Sequence, residues 1–260
     1  MGHGSAFDPD RDIPSLEGKV ILITGGNVGL GKQSALALSK HQPSELWIAA
    51  RSAKKADSAI AEIKQLSPAV QVRFLELDLA SFASVKTATE AFLSSVSRLD
   101  ILMLNAGIMA CPPWPDHGGF GPSGGIQFDT LKSTATAMST NDRYGQSKLA
   151  NLLFIRELAE HHPELTVASI HPGTVNTDLQ KSNDGSWMIN VFQKVVVPLI
   201  GVSVEEGAKS QLWAATAKGV QSGEYYVPVG VSGEGSQSSN DKALAKKLWD
   251  WTEKELESYI

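Results

Sequence analysis

The chain has 260 residues, 42% hydrophobic and 20% charged, a composition that suits one ordinary globular α/β domain. A formal net charge of −5 and the lack of any basic run exclude an extended nucleic-acid-binding surface. A single cysteine, Cys111, excludes an internal disulfide framework and fits a reducing compartment, so a soluble cytoplasmic protein is expected.

Residues 1–17 are polar and read as a flexible arm, neither signal peptide nor membrane anchor, ahead of a single domain at 18–260. Val20-Ile21-Leu22-Ile23 then reads as a strand buried on both faces. It ends in Thr24-Gly25-Gly26-Asn27-Val28-Gly29-Leu30-Gly31, and a helical period follows at once, over about 29–41. Gly25 permits a sharp turn, Gly29 a close approach of backbone N–H groups to a ligand, and Gly31 tight packing of helix on strand. An open helix N-terminus there suits a pyrophosphate, the alternative being a plain strand-to-helix turn. The glycines are spaced Gly-x-x-x-Gly-x-Gly, so the common Gly-x-Gly-x-x-Gly dinucleotide fingerprint does not match.

A second strand, Glu45–Ala50, ends at Arg51, 20 positions after Gly31, with Lys54 and Lys55 beginning a helix to about Leu66. An acidic residue at that place would read the ribose hydroxyls of NAD, whereas arginine accommodates the 2′-phosphate of NADP. A solvated charge at a strand end is the plain alternative. Val70–Leu77 forms a third strand leading into Asp78-Leu79. Ser81 caps a helix over about 82–97 whose Phe82, Val85, Ala88 and Phe92 share one apolar face. A fourth strand, Asp100–Leu104, runs into Asn105-Ala106-Gly107. Alternating strands and helices predict a Rossmann-like, doubly wound parallel sheet with right-handed crossovers. Ligands bind such sheets at the C-terminal strand edge, where Gly25, Arg51, Asp78 and Asn105 all fall.

Tyr144 and Lys148 open a long amphipathic helix and share one face at a spacing of four. An ammonium beside a phenol favours the phenolate, which suits Tyr144 to exchange a proton with a substrate oxygen while hydride moves at carbon. A strand at Leu165–Ile170 ends in His171-Pro172-Gly173-Thr174-Val175-Asn176-Thr177, with His171 read as a satisfied strand-end residue. Residues 178–202, with Trp187, Met188, Ile189 and Phe192, suit either an apolar lid over substrate or a surface helix. Its most apolar run, Val195–Val202, is too short to span a bilayer. A helix at Glu205–Ala217, a strand at Glu224–Val227 and a final helix bearing Leu244, Leu248, Trp249 and Leu256 complete the chain.

With these landmarks in order, the chain resembles the short-chain dehydrogenase/reductase family, and most of all its retinol-dehydrogenase-like fungal branch. The resemblance rests on Thr24-Gly25…Gly29-Leu30-Gly31, Asp78-Leu79, Asn105-Ala106-Gly107, Tyr144…Lys148, and Pro172-Gly173 with Thr177. It implies NADP held by Gly25, Asn27, Gly29, Leu30, Gly31 and Arg51, by Asp78-Leu79 at the adenine, and by Asn105-Ala106-Gly107. Pro172, Gly173, Val175 and Thr177 would complete that site. Tyr144 would be the acid/base, Lys148 would hold the nicotinamide ribose, and the substrate would be a small apolar carbonyl or alcohol. No metal is implied, and a homo-oligomer is an open expectation.

One stretch departs from the family pattern. Asn105 and Tyr144 are only 39 positions apart, where the family places a helix and a further strand carrying a catalytic serine and an asparagine. Here stand Pro112, Pro113, Pro115 and Pro122 with glycines at 118, 119, 121, 124 and 125, a loop composition. Pro122–Lys132 resembles the segment after that serine, which places the missing part near Pro113–Gly121; Ser123, Ser133 and Ser139 are available but out of place. One central strand and its preceding helix are therefore expected to be absent. Either the gap closes and shifts the tyrosine helix by about one strand spacing, ~4.8 Å, or it stays open and leaves strand edges unpaired. A weakened enzyme and a cofactor-binding but inactive relative both fit.

Overall fold

A computed structural model describes residues 6–107, 124–176, 201–233 and 235–259. Val20–Thr24 (β1) is buried at every position, as its unbroken apolar run requires. It pairs in parallel with Glu45–Ala50 (β2) on one side and Ile101–Met103 (β4) on the other, and Gln71–Glu76 (β3) lies beyond β2. The order is β3-β2-β1-β4. Gly29–Ser39 (α2), Ala53–Leu66 (α3) and Phe82–Ser95 (α4) connect these strands as crossovers, giving a Rossmann-like half.

Two apolar layers flank this sheet. One holds Ile21, Ile23, Leu38, Ile48 and Ile63 with Ala208 and Leu212 of a later helix, Val204–Thr216 (α6). The other packs Val20, Leu22 and Trp47 against Ala88 and Phe92 of α4, the Trp47 and Phe92 rings meeting edge-on at 5.1 Å. Phe82 does not join that face. It stands at the first turn of α4, is 53% exposed and lies against Tyr259, ring centroids 4.5 Å apart.

The flexible arm expected over 1–17 is overturned for its described part. Pro9–Asp12 (α1) is a short helical turn capped by Asp8, and Phe7, Ile13 and Leu16 are buried in the first apolar layer. Three apolar residues scattered among prolines and charges give no periodicity, so only the surface they meet reveals their burial.

The second part of the chain is built differently. Thr140–His161 (α5) begins four residues ahead of Tyr144, its N-terminus capped by Ser139, so the tyrosine stands one turn inside the helix instead of opening it. Leu149 and Leu153 pack with Ile126 against Ala245 and Leu248 of Lys242–Leu256 (α7). The strand expected over Leu165–Ile170 contracts to Ser169–Ile170 (β5), half-buried and paired in parallel with Tyr225–Val227 (β6). Val231–Ser232 (β7) runs antiparallel to β6. Among the described residues this three-stranded sheet is separate from the four-stranded one, and β4 is an edge. Leu102 and Leu104, on or just past β4, are 50% and 69% exposed. Among the described residues no strand pairs with β4 on the side away from β1.

Candidate active site

The turn after β1 is tightly constrained. Gly25 has φ +66°, a left-handed conformation that glycine adopts without strain. A Cβ on Gly31 would lie 2.4 Å from Asn105 Nδ2 and 2.5 Å from the Gly25 carbonyl oxygen, so no larger residue fits. The helix that follows is left open. Ser52, Ser81, Ser139, Ser203 and Asp241 cap α3, α4, α5, α6 and α7 through their side chains, whereas Val28 before α2 offers no side-chain cap. No acidic residue stands in the first turn of α2 either. Among the described residues nothing caps its leading N–H groups or meets its positive dipole end, and half-buried Asn27 and exposed Val28 stand at the mouth.

Asn105 ties this turn to the end of β4. Its Nδ2 donates to the Thr24 carbonyl at 3.0 Å and to the Gly25 carbonyl at 3.4 Å. The buried Thr24 hydroxyl accepts from the Ala106 N–H at 3.0 Å. Gly107, next along, has Lys148 Nζ 3.9 Å from where its Cβ would stand. The same ammonium lies 5.4 Å from the centre of the Tyr144 ring. Desolvation by the surrounding protein lowers the Lys148 pKa from the ordinary lysine value, although the residue as a whole keeps substantial exposure. Gly25, Gly31, Asn105, Ala106, Gly107, Lys148 and Tyr144 thus form one connected cluster at the C-terminal strand edge.

The remaining expected residues lie along that edge. Arg51 is exposed at the end of β2, and neither it nor Lys54 or Lys55 joins an ion pair among the described residues. Asp78 is half-buried; its N–H donates to Ser84 Oγ at 2.9 Å and its Oδ1 accepts from the Ala80 N–H at 3.0 Å. Leu79 is 55% exposed. Gly173 follows Pro172 with φ +82°, and its N–H donates to His171 Nδ1 at 3.0 Å, so His171 is engaged in its own turn. Buried Val175 touches α6, where a Cβ on Gly207 would fall 2.4 Å from Val175 Cγ2 and 3.1 Å from Leu30 Cδ2. Val175 and Leu30 are thereby brought together over Gly207. Thr177, the segment with Trp187, Met188, Ile189 and Phe192, and Ser123 lie outside the described residues. Ser133 Oγ donates to the Thr130 carbonyl at 2.8 Å, and Ser139 is spent on the cap of α5.

Sequence patterns missed the α6 contribution. A glycine inside a helical period signals close approach to something, but not to what. Gln211, one turn beyond Gly207, carries no motif at all.

An uncapped glycine turn joined to a tyrosine–lysine pair at one strand edge defines a dinucleotide-binding oxidoreductase fold. The short chain dehydrogenase family model matches residues 19–118. A short-chain dehydrogenase/reductase of Armillaria gallica is 32% identical over 297 aligned positions, covering 96% of this chain and 94% of the relative. Retinol dehydrogenase 12 of Mus musculus is 30% identical over 275 positions, covering 90% and 85%. The chain belongs to the short-chain dehydrogenase/reductase family. In fold it is similar to L-sorbose reductase of Gluconobacter frateurii, solved with NADPH and L-sorbose, at 20% identity and TM-score 0.59 over 86% of this chain and 99% of that one.

Proposed function

We propose that the chain binds NADP(H) along this edge and interconverts a carbonyl and an alcohol on a small apolar molecule. The observation that carries this is the Lys148 ammonium beside Gly107, which links the tyrosine pair to the glycine turn through Asn105. The residues fit the cofactor: the Gly31 cradle admits no Cβ, and the α2 N-terminus is without a side-chain cap. Unpaired Arg51, with Lys54 and Lys55 behind it, suits a 2′-phosphate, because a guanidinium matches phosphate geometry in two places. Asp78, Leu79 and Val175 would wall the adenine and nicotinamide sides, with Pro172, Gly173 and Thr177 closing the far end.

Bound there, the cofactor supplies or accepts hydride. Tyr144 would give or take the proton at the substrate oxygen, and Lys148 would hold the ribose and keep positive charge beside the phenol. An apolar substrate follows from Trp187, Met188, Ile189 and Phe192 in the segment after Val175. NADPH fluorescence should rise on binding, and oxidation of NADPH with a panel of aldehydes and ketones should vanish in Tyr144→Phe. Arg51→Ala should weaken NADPH by about tenfold or more while leaving NADH nearly unchanged. A single cysteine supports a cytoplasmic setting, and no helix among the described residues is long and apolar enough to cross a membrane.

A second reading, a cofactor-binding protein with impaired catalysis, has its own support. The Armillaria alignment runs to 297 positions against a chain of 260 residues, so the relative has segments with no counterpart here. Edge strand β4 and the engaged Ser133 and Ser139 agree with a lost crossover unit carrying the family's serine. Loss of one such oxyanion donor lowers turnover by on the order of 10²–10³. Retained NADPH binding with no turnover on any carbonyl would favour this reading over the first.

A further inference from the structure

We infer that Gln211 is a positioning residue for the pyrophosphate end of the dinucleotide site. This role rests on the cofactor site proposed above. Gln211 is buried on α6, and its Nε2 donates to the Leu30 carbonyl at 3.1 Å and also to the hydroxyl of Ser34, itself fully buried. Both acceptors belong to the opening turns of α2, whose leading N–H groups face the glycine turn. One turn earlier on the same face of α6, Gly207 makes room for the side chains of Val175 and of Leu30 from α2. The other members of that face, Ala208 and Ser210, are small and buried, and Ser210 Oγ has no partner. Gln211 is therefore the polar grip within an otherwise smooth contact.

The need for such a grip follows from the turn itself. Gly25 and Gly29 both sit at positive φ, so the loop supplies little stiffness of its own. Asn105 holds it from the β4 side through the Thr24 and Gly25 carbonyls. Gln211 holds the helix from the opposite side through Leu30. Between the two clamps, the N–H groups of residues 29–31 are fixed in direction, and direction decides how well converging donors meet an anion. Being buried, Gln211 acts through α2 and does not itself touch the ligand.

The test is ligand binding on the purified full chain with three probes, by fluorescence for NADPH and by calorimetry for two fragments. Adenosine 2′-monophosphate lacks the pyrophosphate, whereas 2′-phospho-ADP-ribose retains it. Gln211→Leu should weaken NADPH and 2′-phospho-ADP-ribose by about tenfold and leave adenosine 2′-monophosphate within about twofold. Gln211→Asn keeps a buried amide one methylene short and should give the same split at smaller size; it carries the test if the leucine variant does not fold. Equal weakening of all three probes, or none of any, overturns the role of Gln211 while the cofactor site stands. A wild-type chain that binds none of the three overturns the site and this role together.

Discussion

The sheet of β1 to β4 and the region of α5, β5 to β7 and α7 obey different rules of burial. In the first, β1 and β2 are closed on both faces, and Ile21, Ile23, Leu46 and Ile48 have no exposure at all. In the second, both residues of β5 are half-buried, β6 buries only its central Tyr226, and the α5–α7 contact forms its own small core. The reason lies in neighbours. A parallel strand is buried when strands flank it and helices cover both faces. On the β4 side the described sheet stops, and Leu102 and Leu104 on or just past β4, with Leu165 ahead of β5, face solvent. The residues proposed to bind cofactor sit mainly in the first region and the tyrosine–lysine pair in the second, so the candidate site draws on both.

The contrast can be pressed hardest at the seam. Gly31→Ala puts a methyl group against Asn105 and the Gly25 carbonyl, and should weaken NADPH by about a hundredfold and lower stability by about 1–3 kcal/mol, read by fluorescence titration and thermal unfolding. Hydrogen exchange should separate the regions: β1 and β2 amides should open only with global unfolding, and those of 169–170 and 225–227 at a cost lower by about 2 kcal/mol or more. Equal protection in both would mean that the two sheets unfold as one unit.

A smaller effect is expected at Asp100, which ties the starts of β1 and β4. Burial raises its pKa, but Arg98, the Val20 N–H and Lys19 outweigh that and hold it at about 2. A carboxylate depressed in the folded state stabilises fully above its unfolded value, near 3.8, and loses that contribution as pH falls toward 2. After solvent screening this amounts to about 1–2 kcal/mol, so Asp100→Asn should lower the unfolding midpoint at pH 7 and make little difference at pH 2. Least of all, Leu102→Thr and Leu104→Gln should change stability by no more than about 0.5 kcal/mol by denaturant titration. In a sheet continuing past β4 the same changes would cost about 2–5 kcal/mol, and such a loss would refute the open edge.

Much of the first region was legible from local pattern. The runs at 20–24, 45–50 and 71–76 and the cap Ser81 are decided by residues within a few positions of one another. Phe82 misled because spacing assigns a face without saying where the neighbouring layer ends. Phe7, Ile13 and Leu16 hid for the converse reason, a covering surface that exists only once α2 is in place. In the candidate site the glycine turn, the Asn105 turn and the tyrosine–lysine spacing were each readable alone, while their contact was not.

By itself the sequence determined where the strands and helices of the first region fall and where the turn after β1 needs glycine, because those choices are made over a few bonds by sterics and hydrophobic period. Only the tertiary structure decided which turns meet. Asn105 reaches Thr24 across 81 positions and Gln211 reaches Leu30 across 181. Contacts so distant in the chain follow from how whole layers stack, and no local pattern encodes them.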